Sequence, residues 1–220
     1  MSCKTTAKAV GLAKANVVGS VVGMGAWNGW YHCTGSTYGC WLRGDARGWR
    51  SRKHREHVDG DYKKPPAPGR YTTLEQNSQS SIKRQRVILT PAQRAFLCGK
   101  MATALVELQV DLIAMCVSAK HWHALARFRV KGKHRFGEPR DARTLIGKAK
   151  GKSARALSKA QLIPPGGVWA KRCRTKPIAD RAHQLRTARY IPEHAKKGAA
   201  VWFLGALQAK PTASAVVNLP

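Results

Sequence analysis

The sequence predicts an α+β fold in which helices pack against one antiparallel sheet. Two observations support this prediction. Segments with strand-like alternation follow segments with helical spacing of apolar residues, and 43% of the 220 residues are apolar, which is enough for one domain with a core. The order of these segments then distinguishes between the kinds of sheet that an α+β domain can build.

The first half of the predicted fold is a strand, a helix and a hairpin. The aromatic and β-branched segment that begins at Trp30 is typical of a strand. A helix follows Thr90, which is a favourable N-cap, and Pro91 occupies the first helical position. The apolar segments 110–118 and 120–130 then predict two strands joined by a tight turn.

The second half of the pattern completes a known plan. A basic helix is predicted at about 140–160, a strand at 166–178 and a last helix at 180–198. The order is therefore β-α-β-β-α-β, which is the ferredoxin-like plan, with an additional C-terminal helix.

The chain divides into one domain and two flanking segments. We predict a flexible N-terminal extension at 1–29, the domain at 30–203 and a C-terminal tail at 204–220. Within the domain, Gly, Pro, Ser and charged residues dominate at about 43–89, so we expect a loop insertion there.

The excess of positive charge indicates which kinds of partner the protein binds. Lysine and arginine number 40 against 11 aspartates and glutamates, a net charge of +29. Such an excess repels itself unless a polyanion screens it, so nucleic acid is the first partner to consider and an anionic membrane surface the second. No segment approaches the ~18 apolar residues of a membrane helix. The six cysteines form no Cys-x-x-Cys pair, which argues against a zinc ribbon and suits a reduced, cytoplasmic setting.

Two histidines stand one residue apart in the strand predicted at 120–130. Side chains at i and i+2 of a strand point to the same face, so His121 and His123 project together and Trp122 points the other way. This arrangement suits chelation of one metal ion. The other interpretation is a pair of polar residues on an open sheet face.

The last predicted helix carries a tyrosine and a third histidine on one face. Tyr190 and His194 are four residues apart, and residues at this spacing are neighbours on a helix. His183, seven residues before Tyr190, is a rival third ligand. A tyrosine hydroxyl can attack a DNA phosphate and become covalently joined to it, and a bound divalent ion can polarise that phosphate.

These features resemble the single-tyrosine HUH transposases. The segment "HWH" at 121–123 fits the family's motif of two histidines around a hydrophobic residue, and Tyr190 and His194 fit the spacing of its tyrosine and third metal ligand. The segments "TYGCWLRGD", "VWAKR" and "RYIPEHAKKGAAVW" are similar to the insertion-sequence and repeat-associated branch. The resemblance covers roughly residues 30–203.

The resemblance implies a metal-dependent endonuclease that acts on single-stranded DNA in transposition and recombination. Tyr190 would form a 5′-phosphotyrosine link and free a 3′-hydroxyl. A homodimer that recognises DNA hairpins is implied as well. The implied ligands of Mg²⁺ or Mn²⁺ are His121, His123 and His194. We assign contacts with the DNA backbone to Lys171, Arg172 and Arg189.

Two other interpretations remain open at this level. The chain could be an inactive transposase remnant, or it could bind single-stranded DNA or RNA without cleaving it. Ferredoxin-like sheets bind single strands by stacking bases on exposed aromatics, and Trp122 and Trp169 could serve in that way. Trp41 and Trp202 are expected to be packing residues, because aromatic side chains usually supply core area.

Overall fold

The computed structural model describes five stretches of the chain, which are 26–51, 55–60, 64–128, 142–164 and 167–204. Most of the predicted N-terminal extension, the polar loop that follows the third predicted strand and nearly all of the C-terminal tail lie outside the described residues.

The described residues form a five-stranded antiparallel sheet. The strands are β1 (Trp30–Ser36), β2 (Val110–Val117), β3 (His121–Phe128), β4 (Arg174–Pro177) and β5 (Ala200–Phe203). Their order across the sheet is β4-β1-β3-β2-β5, and each neighbouring pair is antiparallel. Strand β3 therefore separates β1 from β2, which is the split β-α-β arrangement expected of the predicted plan.

Four α-helices accompany the sheet, which confirms the α+β class. They are α1 (Thr72–Ser80), α2 (Pro91–Glu107), α3 (Ala142–Lys159) and α4 (Arg181–Glu193). Helix α2 begins as predicted, because the Thr90 hydroxyl accepts from the Gln93 amide and the Gln93 side chain accepts from the Thr90 amide. Among the described helices, none combines the length and apolar character needed to traverse a bilayer.

The structure differs from the predicted elements in the insertion and at both sheet edges. Helix α1 lies inside the predicted loop insertion; it buries no residue, so its sequence has no apolar stripe to reveal it. The last predicted strand shrinks to β4, and upstream of it Trp169 makes only an isolated bridge to Thr37. Strand β5 was missed because four residues are too few to show a period.

The sheet is covered on both faces. Helices α2 and α3 contribute Leu97 and Ile146 to the larger core cluster, which also contains Trp122 of β3. On the opposite face, Leu125 of β3 packs in a smaller cluster with Ile191 of α4. Helix α4 therefore lies over the face of β3 that carries the odd-numbered residues, which include both histidines of the pair.

Gly35 of β1 makes the close packing of the buried indole possible. It pairs directly with Trp122, which is fully buried. A Cβ atom at this position would lie 2.6 Å from the indole Nε1 atom, a distance that real Cβ atoms do not tolerate.

We predict that Gly35→Ala lowers the free energy of unfolding by about 1–3 kcal/mol, because the indole must leave its place in the core. Urea denaturation measures the change. The matched control is Gly99→Ala in α2, where an added Cβ meets nothing within 4 Å and should stabilise the helix by about 0.5–1 kcal/mol. A Gly35→Ala protein as stable as the wild type would show that the indole moves without cost.

Candidate functional site

The site is built on the face of β3 that looks towards α4. His121 pairs with Ser36 of β1, and His123 pairs with Thr34, so both histidines lie where β1 and β3 run side by side. Both side chains are half-buried. The sequence-based expectation that they share one face agrees with this placement.

Helix α4 brings His194 and Tyr190 to the same place. The His194 ring centroid lies 4.6 Å from that of His123 and 5.7 Å from that of His121. One ligand nitrogen from each of the three imidazoles lies within 4.8 Å of the others. No other group of three or more histidine, cysteine, aspartate or glutamate side chains reaches this spacing in the described part of the chain.

The end of α4 orients the third imidazole. Pro192 lies within the helix, which ends at Glu193 and passes into a 3₁₀ turn at His194–Lys197. The Tyr190 carbonyl oxygen accepts a hydrogen bond from His194 Nδ1 at 3.1 Å. A carbonyl can only accept, so Nδ1 carries a proton, and in the neutral tautomer Nε2 has the lone pair. Nε2 of His194 is therefore the nitrogen that can bind an ion.

His32 is a member of the site that the sequence analysis missed. Its Nε2 atom lies 3.0 Å from His123 Nδ1, and the two rings stack with centroids 5.2 Å apart. His32 pairs with Leu125, so it sits diagonally across from His123 on the same face. Alternation along β1 gives its face from sequence, but only the register between β1 and β3 gives its neighbour.

Burial favours the neutral form of the imidazoles of β1 and β3. The pKa of His123 is lowered to about 3, mainly by burial and then by the neighbouring rings of His32, His121 and His194. Burial also lowers the pKa of His32 to about 4, with the charges of Lys176 and Arg174 among the further causes. Neutral imidazoles keep a lone pair, which is the form that binds a metal.

Basic side chains add positive charge around the cluster. The pKa of His121 is lowered by burial first, and then by His194, Arg47 and Lys197. Arg47 belongs to the insertion and Lys197 to the 3₁₀ turn after α4, so the charges come from separate segments. Such a setting attracts an anion, and a phosphate is the anion that a DNA strand offers.

Tyr190 is reachable from solvent and close to three imidazoles. Its side chain is 45% exposed. Its ring centroid lies 4.7 Å from that of His194, 5.6 Å from that of His123 and 6.0 Å from that of His32. Partial burial raises the pKa of the phenol above its usual value, so it is protonated at neutral pH. A nucleophilic role would therefore require help with the loss of this proton.

The residues predicted to contact the DNA backbone are all exposed. Lys171 and Arg172 lie between α3 and β4, and Arg189 precedes Tyr190 on α4. The backbone just before Lys171 is fixed, because the Ala170 amide donates to the Ser36 carbonyl at 2.9 Å. Lys171 therefore follows a segment that is tied to the end of β1 beside the cluster.

Lys150 holds the segment that precedes Lys171 in place. Its side chain is buried, and its ammonium donates to the Ala170 carbonyl at 2.6 Å. Nearby, the Trp169 indole donates to the Ser153 hydroxyl at 3.1 Å. Both contacts anchor the segment to α3.

His183 is not part of the three-histidine group. Its Nδ1 atom accepts from the Ala179 amide at 3.1 Å, at the start of α4. The structure thus brings His194, and not His183, to the two histidines of β3.

The tryptophans are placed differently from what the sequence suggested. Trp122 is fully buried and Trp169 is 8% exposed, so neither can stack a base, and their assignment as stacking residues was wrong. Trp41 was expected to be a packing residue, but its side chain is 62% exposed, so that expectation was wrong as well. Trp202 packs partly buried against the larger core cluster, as expected.

The fold and the site together define a class of protein. It is an α+β domain with an antiparallel sheet and a histidine cluster that faces a tyrosine-bearing helix. No protein-family model matches the chain, and no curated protein matches its sequence. A solved structure of a REP-associated tyrosine transposase bound to a REP hairpin aligns with a TM-score of 0.44 and 11% identity, over 79% of this chain and 70% of that one.

We predict that the metal-free protein loses stability as the pH falls from about 6.5 to about 4. Below the unfolded histidine pKa of about 6.5, the unfolded chain binds protons that the native His32 and His123 refuse, since their native pKa values are about 4 and 3. Each such histidine then costs up to ~1.4 kcal/mol per pH unit. Urea titrations in EDTA measure the slope.

The matched variant for this titration is His32→Gln/His123→Gln, which removes both groups. Its free energy of unfolding should fall less steeply over the same pH range. Equal slopes for the two proteins would contradict the prediction.

Proposed function

We propose that this protein is a metal-dependent endonuclease that cleaves single-stranded DNA and remains joined to the 5′ end through Tyr190. In this proposal it is a single-tyrosine HUH transposase. The observation that carries it is the position of an accessible phenol with its ring centroid 4.7 Å from that of His194, beside a group of three imidazoles whose ligand nitrogens lie within 4.8 Å of one another.

The donor set fits a divalent cation. His121, His123 and His194 would hold it, and each offers one ring nitrogen. Imidazole is a poor sole ligand for Mg²⁺ and a better one for Mn²⁺, and either ion would complete its shell with oxygen atoms from water and phosphate. When bound, the ion supplies positive charge against the scissile phosphate.

The chain's own residues carry the covalent step. The Tyr190 hydroxyl oxygen attacks the phosphorus, a P–O bond to Tyr190 forms, and the bond to the 3′ oxygen breaks. The phenol gives up one proton and the departing 3′ oxygen takes one up, so the exchange balances without a co-reactant. Rejoining is the same step in reverse, with a 3′-hydroxyl as the attacking group.

The proposed substrate is a single strand that carries a hairpin, bound by a homodimer. Lys171, Arg172 and Arg189 are exposed cations on segments that adjoin the cluster, so we assign them to phosphates of the strand. Phosphate contacts fix the position of the strand but do not read its bases. Their affinity falls as salt rises, because each contact releases counterions.

We expect Tyr190→Phe to abolish the covalent protein–DNA species. The change removes one hydroxyl and keeps the ring, so the packing of α4 should be retained. The assay is denaturing electrophoresis with a labelled hairpin and Mn²⁺. The control is Tyr38→Phe, because the Tyr38 ring lies under the Arg84 guanidinium at 4.3 Å and is not among the rings that contact the cluster.

A shifted band that persists in Tyr190→Phe would rule out Tyr190 as the nucleophile. A protein that binds the hairpin but forms no adduct even as wild type would favour the non-catalytic binder or the inactive remnant. Mn²⁺ binding that survives in His121→Ala would argue against the histidine group as the metal site.

His32 is expected to position His123 for the ion. Because Nδ1 of His123 is engaged by His32 at 3.0 Å, its Nε2 is the nitrogen left for a metal. Nδ1 must then donate its proton to His32 Nε2. Partners of this kind fix the tautomer and ring orientation of a metal-binding histidine.

We predict that His32→Phe weakens Mn²⁺ binding by about 10- to 100-fold, measured by electron paramagnetic resonance of free Mn²⁺. His32→Gln offers an acceptor oxygen and should recover part of the loss, which a purely structural role would not explain. Equal affinity of wild type and His32→Phe would contradict the assignment.

A further inference from the structure

Trp41 is the most exposed large apolar side chain among the described residues. It lies in the turn that follows β1 and is 62% exposed. Covering an exposed indole is favourable by its transfer free energy, so this position offers a large apolar surface to a ligand.

The indole is held in place without being packed. Its Nε1 donates to the Gly48 carbonyl at 3.0 Å, which satisfies its single polar atom. The Arg47 guanidinium lies 5.4 Å from the ring centroid, within the range of a cation–π contact. The ring is thus fixed at its edge and attracted to a cation, while most of its area remains open to solvent.

Arg47 is itself anchored and cannot easily leave the indole. Its Nε and Nη2 atoms donate to the Asp45 carboxylate at 2.8 and 2.6 Å, and Nη2 also donates to the Cys40 carbonyl at 2.6 Å. The Asp45 residue is only 8% exposed. Moving Arg47 would leave a buried carboxylate without its cation, which is strongly unfavourable.

The turn begins beside the histidine cluster. The Thr37 amide donates to the Lys120 carbonyl at 2.9 Å, and Lys120 directly precedes His121. Trp41 lies four positions after Thr37, a span of at most about 14 Å. At a rise of about 3.4 Å per base, this distance corresponds to roughly four stacked nucleotides.

We propose that Trp41, backed by Arg47, is a stacking platform for a base of the single strand that flanks the scissile phosphate. This inference rests on the proposed function, because it takes the ligand to be single-stranded DNA. Every base has a π-face, so such a platform holds a strand without selecting its sequence. The net charge of +29 matches the polyanion that would carry the base.

The two tryptophans of the sheet region cannot take this role. Trp122 and Trp169 are buried, so of these three indoles only that of Trp41 is open to a base. Its platform lies at the end of the sheet and not on its face. The strand would therefore cross the cluster and leave it past the turn at 38–48, instead of lying flat on the sheet.

The test uses a hairpin with a single-stranded flank and the wild-type protein in EDTA, so that no cleavage occurs. The fluorescent base 2-aminopurine is placed at each flank position in turn. We expect quenching at one or two adjacent positions, loss of that quenching in Trp41→Ala and partial retention in Trp41→Phe. Affinity should fall about 5- to 100-fold in Trp41→Ala.

Abasic nucleotides separate stacking from a fault in folding. Removing the base at the responsive position should weaken wild-type binding by the same factor and leave Trp41→Ala unaffected. The control Phe203→Ala removes another exposed aromatic, 43% exposed, on the edge strand β5 away from β1. It should bind within twofold of the wild type.

The platform is overturned if no flank position responds to Trp41. It is equally overturned if Trp41→Ala keeps its defect with abasic nucleotides throughout the flank. Neither result affects adduct formation by Tyr190, and failure of the adduct assay leaves the quenching measurement intact, so the two proposals fail separately.

Discussion

The packing of α4 on the sheet is the interaction on which the rest of the site depends. Ile191 is fully buried in the same cluster as Leu125 of β3, while Tyr190, its neighbour in the chain, is 45% exposed. One helical turn after Tyr190, His194 reaches the two histidines of the strand. A slide of α4 by a single turn, about 5.4 Å, would move Ile191 out of this cluster and separate His194 from the strand. The apolar contact thus sets the geometry of the polar group.

The sequence was sufficient for the parts of the site that follow a local period. His121 and His123 were predicted to share a face from the alternation of a strand, and Tyr190 and His194 from the spacing of a helix. His32 required the register between β1 and β3, which no local pattern specifies. The capped start of α2 was also predictable, because its signal lies within four consecutive residues of the chain. Strand β5 and helix α1 were not, because one is too short and the other buries nothing.

The contact between Arg47 and Trp41 could not be predicted from the sequence, for a different reason. Arg47 lies in a segment whose Gly and charged residues are typical of a solvated loop, and Trp41 comes just before it. The Asp45 contacts and the hydrogen bond from Trp41 to Gly48 show that this part of the chain has a fixed form. Trp122 shows the converse error, since alternation assigned it to the face opposite the histidines but did not show that helices cover that face. Alternation places it in the larger core, and Gly35 leaves room for its ring. Whether an aromatic side chain packs or projects depends on neighbours that are distant in the chain.

Cation binding and strand binding are interdependent at the group of three histidines. The three ligands carry no carboxylate among them, so an ion held there would introduce two uncompensated positive charges near Arg47 and Lys197. The single negative charge of a phosphodiester in the same place would offset part of this charge. The cation and the phosphodiester would then each raise the affinity of the protein for the other by an equal factor, as linkage requires. Such a protein would bind its cation weakly without a strand and tightly with one, so that the strand itself would promote binding of the cation.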